Sequence, residues 1–272
     1  QVKPHAGQQE VASAMRKILR GSKLMKKREE HLYEKEVTED VVVEKVQEYY
    51  SSRCLPQIIG PVLDTIKHAE KVMVAEINSV NDNPIIDYKN QHIYHGGNFH
   101  GDYVSLEMDK LKIAVTKLSM LAERQLNYLL NHNLNCKLSP FINLGKLGLN
   151  FGLQGMQYTA TSTVAENQML SNSMYVHSIP NNNDNQDIVS MGTNSALICN
   201  RVVENTFDVL AVHLIAICQA IDFRQIQGKL SPITRSVYDT IRKMVPVFID
   251  EPKARYDELA AVRKYLNQND LY

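Results

Sequence analysis

The sequence predicts an all-α protein, an elongated bundle of long helices with one small β-hairpin. Three observations predict it. Apolar residues recur at intervals of three and four through several long stretches, which is the period of one helix face. Glycine is scarce, 12 of 272 residues, so few positions punctuate the chain. Strand-like sequence between turn signals is confined to residues 84–94.

The elements follow in order. Residues 7–19 form a short amphipathic helix with Val11, Met15, Ile18 and Leu19 on one side, and Gly21 stops it. Residues 23–45 are charged and irregular, and the Lys26–Glu30 run is a solvated face or loop. A second helix begins after Pro56 and reaches about Ser79, with Ile59, Val62, Leu63, Ile66, Ala69, Val72 and Met73 at helical spacing. Residues 84–88 and 91–94, joined by a Lys-Asn turn, read as a hairpin that presents the glycine pair of His-Gly-Gly-Asn-Phe-His, 95–100. A long helix spans 103–131, with Leu106, Leu111, Val115, Leu118, Leu121, Ala122, Leu126 and Leu129 as a packing seam. A loop around Ser139-Pro140-Phe141 leads to a helix over 153–170, a polar stretch over 178–187, a third long helix over 190–221, and two short closing helices. The whole chain, 1–272, reads as one helical portion without repeats or low-complexity segments.

Composition narrows the partners. Thirty basic residues balance thirty acidic ones, so no charge excess points to nucleic acid or an anionic membrane. The longest apolar run, 209–221, is broken by His213 and Gln219 and falls short of a membrane span. The four cysteines (Cys54, Cys136, Cys199, Cys218) lack metal or redox spacing, as expected of buried thiols in a reducing cytoplasm.

Three clusters place polar groups where a helical core favours apolar ones. In the first, Tyr50 and Arg53 are three apart and share a face if the turn is helical. A guanidinium fork grips a carboxylate and a phenol donates or exchanges a proton; the same spacing also gives a plain surface stack. The second is the 95–100 string, whose glycines allow close backbone approach. Its two histidines, five apart, do not have the spacing of a helical zinc site, so no metal is expected, and Phe99 packs on a ligand or fills the core. The third, residues 181–187, holds four Asn and one Gln. One or two such groups suffice to cap a helix, with Asp187 in its first turn; the excess is free to bind a polar ligand. Together the clusters could converge on one site between helices.

These residues resemble a known family, the aromatic amino acid and histidine ammonia-lyases, in its C-terminal half. The resemblance rests on Lys-Pro-His-Ala-Gly-Gln (3–8), Tyr-Ser-Ser-Arg-Cys-Leu-Pro-Gln (50–57), Asn-Asp-Asn-Pro (81–84), His-Gly-Gly-Asn-Phe-His-Gly (95–101), Ala-Glu-Arg-Gln (122–125), Ala-Glu-Asn-Gln (165–168), Ser-Ile-Pro (178–180) and Asn-Gln-Asp-Ile-Val-Ser-Met-Gly (185–192). The strings occur in family order and cover essentially the whole chain.

The resemblance implies the helical core shared with fumarase-like enzymes and the non-oxidative elimination of ammonia from an L-amino acid. It implies a methylidene-imidazolone electrophile made from an internal Ala-Ser-Gly, a basic Tyr in the N-terminal half, and a cytoplasmic homotetramer whose active sites are shared between chains. By motif position Arg53 resembles the carboxylate-gripping residue, Tyr50 the active-site phenol, and Gln47 a neighbour that orients it. Phe99 resembles the aromatic packed by the electrophilic ring. Gln186 resembles a polar site residue that is Glu in histidine enzymes, and Asn182 stands where tyrosine-type enzymes carry Asn. The stretches 91–109 and 175–196 most resemble bacterial tyrosine ammonia-lyases. An aromatic substrate is therefore expected, tyrosine before phenylalanine, with histidine lyase, aromatic aminomutase and a non-catalytic assembly fragment as alternatives.

The departure is that no Ala-Ser-Gly occurs in the 272 residues, and the first ten residues read as mid-protein sequence. The chain is expected to need an N-terminal half and to be inactive alone.

Overall fold

The computed structural model describes residues 2–26, 47–249 and 254–269. The charged run expected over 23–45 falls, from residue 27 on, outside the described residues.

Helix α1 (Ala6–Leu19) packs on α3 (Leu55–Ile77). They cross where glycine meets glycine: a Cβ on Gly60 would lie 2.6 Å from the Gln8 nitrogen, closer than non-bonded atoms allow. Before α3 comes the one-turn α2 (Tyr50–Arg53). The expected hairpin is present as β1 (Ile85–Asp87) and β2 (His92–Tyr94), antiparallel, with Ile86 opposite Ile93. Asp87 shapes its turn by accepting from the Lys89 and Asn90 amides at 3.1 and 3.2 Å, an Asx turn.

The bundle itself is α4 (Asp102–Leu130) laid along α7 (Gly192–Arg224), with α3 and α6 (Gln154–Leu170) packed alongside. The one-turn α5 (His132–Asn135) closes α4. Two short helices, α8 (Pro232–Met244) and α9 (Tyr256–Gln268), cover the far end of α7. Helix α7 is long and apolar enough to cross a bilayer by length and composition. It runs through the bundle, with Val202, Val209, Ile215 and Ala216 fully buried, so core packing accounts for that character.

The core is divided. Leu126, Leu130, Ile142, Leu153, Ile215, Ile241, Val245 and Val262 form one apolar cluster at the end where α4 and α7 meet α8 and α9. Toward the start of α4 the expected leucine seam gives way. Leu106 is 39% exposed, and Ser105, Asp109, Lys112, Thr116 and Ser119 are buried instead. Those five positions keep a three-to-four spacing but, at about 100° per residue, lie roughly a third of a turn around the helix from the expected leucines, so the buried stripe is both offset from the seam and polar. The four cysteines are free thiols; Cys199 and Cys218 are buried as expected, whereas Cys136 is exposed.

Candidate functional site

The Tyr50–Arg53 turn is docked near the C-terminal end of α4. Tyr49 meets Tyr128 edge-on with ring centroids 5.6 Å apart, and Gln125 donates to the Ser51 carbonyl at 2.7 Å. Thus anchored, Tyr50 turns outward, 69% exposed. The Arg53 guanidinium carbon sits 4.6 Å from its ring centroid, within the range of a cation–π contact. The stack expected from spacing is therefore present, and among the described residues no carboxylate forms an ion pair with Arg53. Gln47 lies exposed just upstream.

At the opposite end of α4 the 95–100 string meets residues 188–191, just past the third cluster. Phe99, 54% exposed, lines a groove of about 360 Å³ with Gly101, Val104, Val189, Ser190 and Met191, between the starts of α4 and α7. The backbones approach closely there: a Cβ on Gly192 would lie 3.3 Å from the Gly101 carbonyl. Around the string, the Gly96 amide donates to Asn83 Oδ1 at 3.0 Å, and the His100 ring lies 3.4 Å from the Ile188 carbonyl and 3.6 Å from Asp102. Positions 96 and 97 themselves face open space.

The polar stretch is a turn in its own right and does not cap a helix. Asn181 and Gln186 exchange backbone hydrogen bonds at 3.2 and 3.3 Å. Between them Asn182, Asn183 and Asp184 have φ of 53°, 54° and 61°. Three left-handed residues in a row suit Asn and Asp, whose short polar side chains tolerate that region. Much of the carboxamide density therefore serves the backbone. Asp187 is not in a helical first turn, since α7 starts at Gly192 with Met191 as its N-cap. The Asn182 and Gln186 side chains are exposed.

The three clusters do not converge within one chain. The turn bearing Tyr50 and Arg53 docks at Gln125, and the Phe99 groove opens at Gly101. At 1.5 Å per residue those positions are about 36 Å apart along α4. The chain holds two separate clusters at opposite ends of α4.

Sequence reading also missed a buried pair on α4, Asp109 and Lys112, that contacts residues 173–195. Lys112 is fully buried and its Nζ lies 2.7 Å from Asp109 Oδ1. Burial would raise the Asp109 carboxyl, but the Lys112 ammonium 2.7 Å away and hydrogen bonds from Ser173, the Tyr175 amide and Ser195 outweigh it and hold it at about 2. The sequence offered only an opposite-charge pair at i and i+3, off the apolar seam, which is also the pattern of a solvated helix face. Among the described residues no group of three or more His, Cys, Asp or Glu is placed to hold a metal.

Comparison with known proteins gives one answer. The sequence model of the family described as aromatic amino acid lyase matches residues 1–243. The chain is 41% identical over 266 residues to an MIO-dependent tyrosine 2,3-aminomutase of Streptomyces globisporus, covering 95% of this chain and 49% of that protein. It is 37% identical to a tyrosine ammonia-lyase of Cupriavidus metallidurans (99% and 51% covered) and 36% identical to histidine ammonia-lyase 1 of Fusobacterium nucleatum (100% and 50%). The crystal structure of the Streptomyces globisporus tyrosine aminomutase superposes with a TM-score of 0.92 at 39% identity, covering 98% of this chain and 51% of that one. The chain thus spans about half the length of the curated relatives it matches, aligning with their C-terminal half.

Proposed function

Since the chain belongs to the aromatic amino acid lyase family, we propose that it is the C-terminal part of an enzyme that eliminates ammonia from an aromatic L-amino acid. Tyrosine comes before phenylalanine as substrate, giving coumarate or cinnamate. The observation that carries this reading is the Tyr50–Arg53 pair. An exposed guanidinium held beside an exposed phenol, with no carboxylate pairing among the described residues, is free to take the substrate carboxylate in a forked, charge-assisted contact.

The relative from Streptomyces globisporus is named MIO-dependent, and the residues here fit a flat methylidene-imidazolone ring brought in by a segment bearing Ala-Ser-Gly. Phe99 offers an exposed ring beside a groove where glycine backbones lie close, and an aromatic face suits a planar partner. When bound, that group supplies the electrophile that turns the amino group into a leaving group. This chain's residues do the rest of their half. Arg53 holds the carboxylate, Tyr50 presents a phenolic proton, and Gln47 orients that phenol. Asn182 and Gln186 offer neutral polar edges, suited to an uncharged aromatic ring better than to a cationic imidazole.

Two half-sites about 36 Å apart along one helix favour a homotetramer in which each active site draws on more than one chain. Exposed apolar residues such as Ile77, Val176, Ile188 and Leu197 support that assembly. A tyrosine aminomutase, which returns the ammonia to the β-carbon, is the second reading. It is favoured by the 41% and 42% identity to proteins named tyrosine 2,3-aminomutase.

The test uses the full-length protein with its Ala-Ser-Gly segment, incubated separately with tyrosine, phenylalanine and histidine. Ultraviolet absorbance reports the unsaturated acid, and chromatography reports any β-amino acid. Coumarate as the main product is expected; urocanate from histidine alone would overturn the aromatic assignment, and β-tyrosine as the main product would select the second reading. Arg53→Ala should weaken carboxylate binding by about 2–4 kcal/mol. A variant with unchanged activity would remove Arg53 from the site.

A further inference from the structure

Residues 171–191 join α6 to α7 and carry Asn182 and Gln186. Irregular connections beyond about 12–15 residues are uncommon in compact domains, and those that stay ordered have something holding them. Here both feet of the loop rest on one carboxylate. At the first foot, Ser173 Oγ and the Tyr175 amide donate to Asp109 Oδ2 at 2.6 and 2.8 Å. At the second, Ser195 Oγ, in the first turn of α7, donates to Asp109 Oδ1 at 2.7 Å. Lys112 Nζ, also 2.7 Å from Oδ1, supplies the balancing charge. Three hydrogen bonds and the ion pair thus surround the carboxylate, and Asp109 is 3% exposed.

We propose that Asp109 is a positioning residue: it staples the two feet of the 171–191 loop together and thereby sets the turn that presents Asn182 and Gln186 at the Phe99 end of the molecule. The staple stands on the hydrogen-bond geometry alone; its consequence for substrate binding rests on the proposed function. Lys112 has a different part. It touches neither foot and makes a buried anion at that point tolerable. Other buried polar contacts of the bundle, such as Asn167 with Ser119 and Thr206, tie helix to helix, whereas Asp109 ties a helix to the loop.

Hydrogen exchange followed by mass spectrometry tests the staple in the full chain. Asp109→Asn keeps the shape, has one accepting oxygen instead of two, and drops the charge. Exchange in peptides from 171–191 should rise by about tenfold or more, while peptides from α7 beyond its first turns stay protected. A uniform rise along the chain would mean that the pair serves general stability, and no rise would mean that the loop is held by other groups; either result overturns the proposal. Ser173→Ala, which leaves the ion pair intact, keeps the test decisive if Asp109→Asn fails to fold. It should loosen 171–180 and spare 186–191. In that case an unchanged first foot overturns the proposal.

The catalytic consequence is read in the full-length enzyme. Asp109→Asn should raise KM for tyrosine by about tenfold and leave kcat within a fewfold, since the loop contributes binding groups. Local loosening with unchanged KM would overturn that consequence and leave the staple standing. A wild-type enzyme inactive on all three amino acids would overturn the proposed function, while the exchange result would still decide the staple.

Discussion

Acidification from pH 7 to pH 5 should destabilise this fold through one buried histidine. His213 lies in the middle of α7, buried, and burial pushes its pKa down to about 4 from 6.5. In the unfolded chain the same imidazole takes up a proton near pH 6.5. Between those values the unfolded state binds more protons than the folded one, so stability rises with pH across that window and falls on acidification. With those two pKa values the loss at pH 5 is about 2 kcal/mol, growing to about 3.4 kcal/mol well below pH 4. Asp109 contributes nothing to this difference. Its lowered pKa gives stability that is present above about pH 4 and lost progressively as the pH falls from there through about 2. Asp208, raised by burial, works in the opposite sense, because protonation relieves it. The assay is urea denaturation followed by circular dichroism at pH 7 and pH 5, for the parent chain and for His213→Leu. The parent should lose about 2 kcal/mol more than the variant between the two pH values. Equal losses would refute the assignment to His213.

Two further perturbations test the packing. Gly60→Ala drives a methyl into the Gln8 backbone at the crossing of α1 and α3; overpacking there should cost about 1–3 kcal/mol, partly offset by helix propensity, and a gain in denaturation midpoint would show that α1 yields freely. Arg242, buried against Asp222 and bonded to Gln219 and the Val245 carbonyl, holds the end of α7 to α8. Arg242→Met should cost about 3–5 kcal/mol by leaving the Asp222 carboxylate unpaired, and adding Asp222→Asn should recover much of that loss. A double variant no more stable than the single one would show that the loss is one of packing rather than of charge.

The long helices were legible because their apolar period persists over many turns, and the hairpin because turn chemistry brackets it. What the sequence concealed was the character of burial. Asp109 and Lys112 look like surface residues, and nothing in spacing says that a carboxylate will find three partners from residues 173–195, far along the chain. The Asn-rich stretch misled for a different reason. The same side chains serve caps, ligand sites and left-handed turns, and here three consecutive positive φ values account for much of the pattern. Tyr50, Arg53 and Phe99 were singled out and are exposed, yet their separation by most of α4 is a property of the packed bundle. Periodicity shows that a helix is long; it does not show which end a docked turn will choose.

That separation also explains why α4 changes chemistry along its buried face. Toward its C-terminal end the helix meets α7 where α8 and α9 close over them, and Leu126 and Leu130 join the apolar cluster. The face turned to that cluster only closes over apolar surface, for which non-directional contact is enough; the Tyr50–Arg53 turn at the same end is held separately, by Gln125. Toward its start the helix meets the long connection 171–191. Leucines at 105, 109 and 112 would bury more apolar area but would let the loop slide, since volume tolerates rearrangement. A carboxylate accepting from Ser173, the Tyr175 amide and Ser195 is directional at every contact and costly to leave half satisfied. The polar half of α4 exchanges hydrophobic stabilisation for geometry, at the end of the bundle where the proposed function gives Asn182 and Gln186 a fixed position.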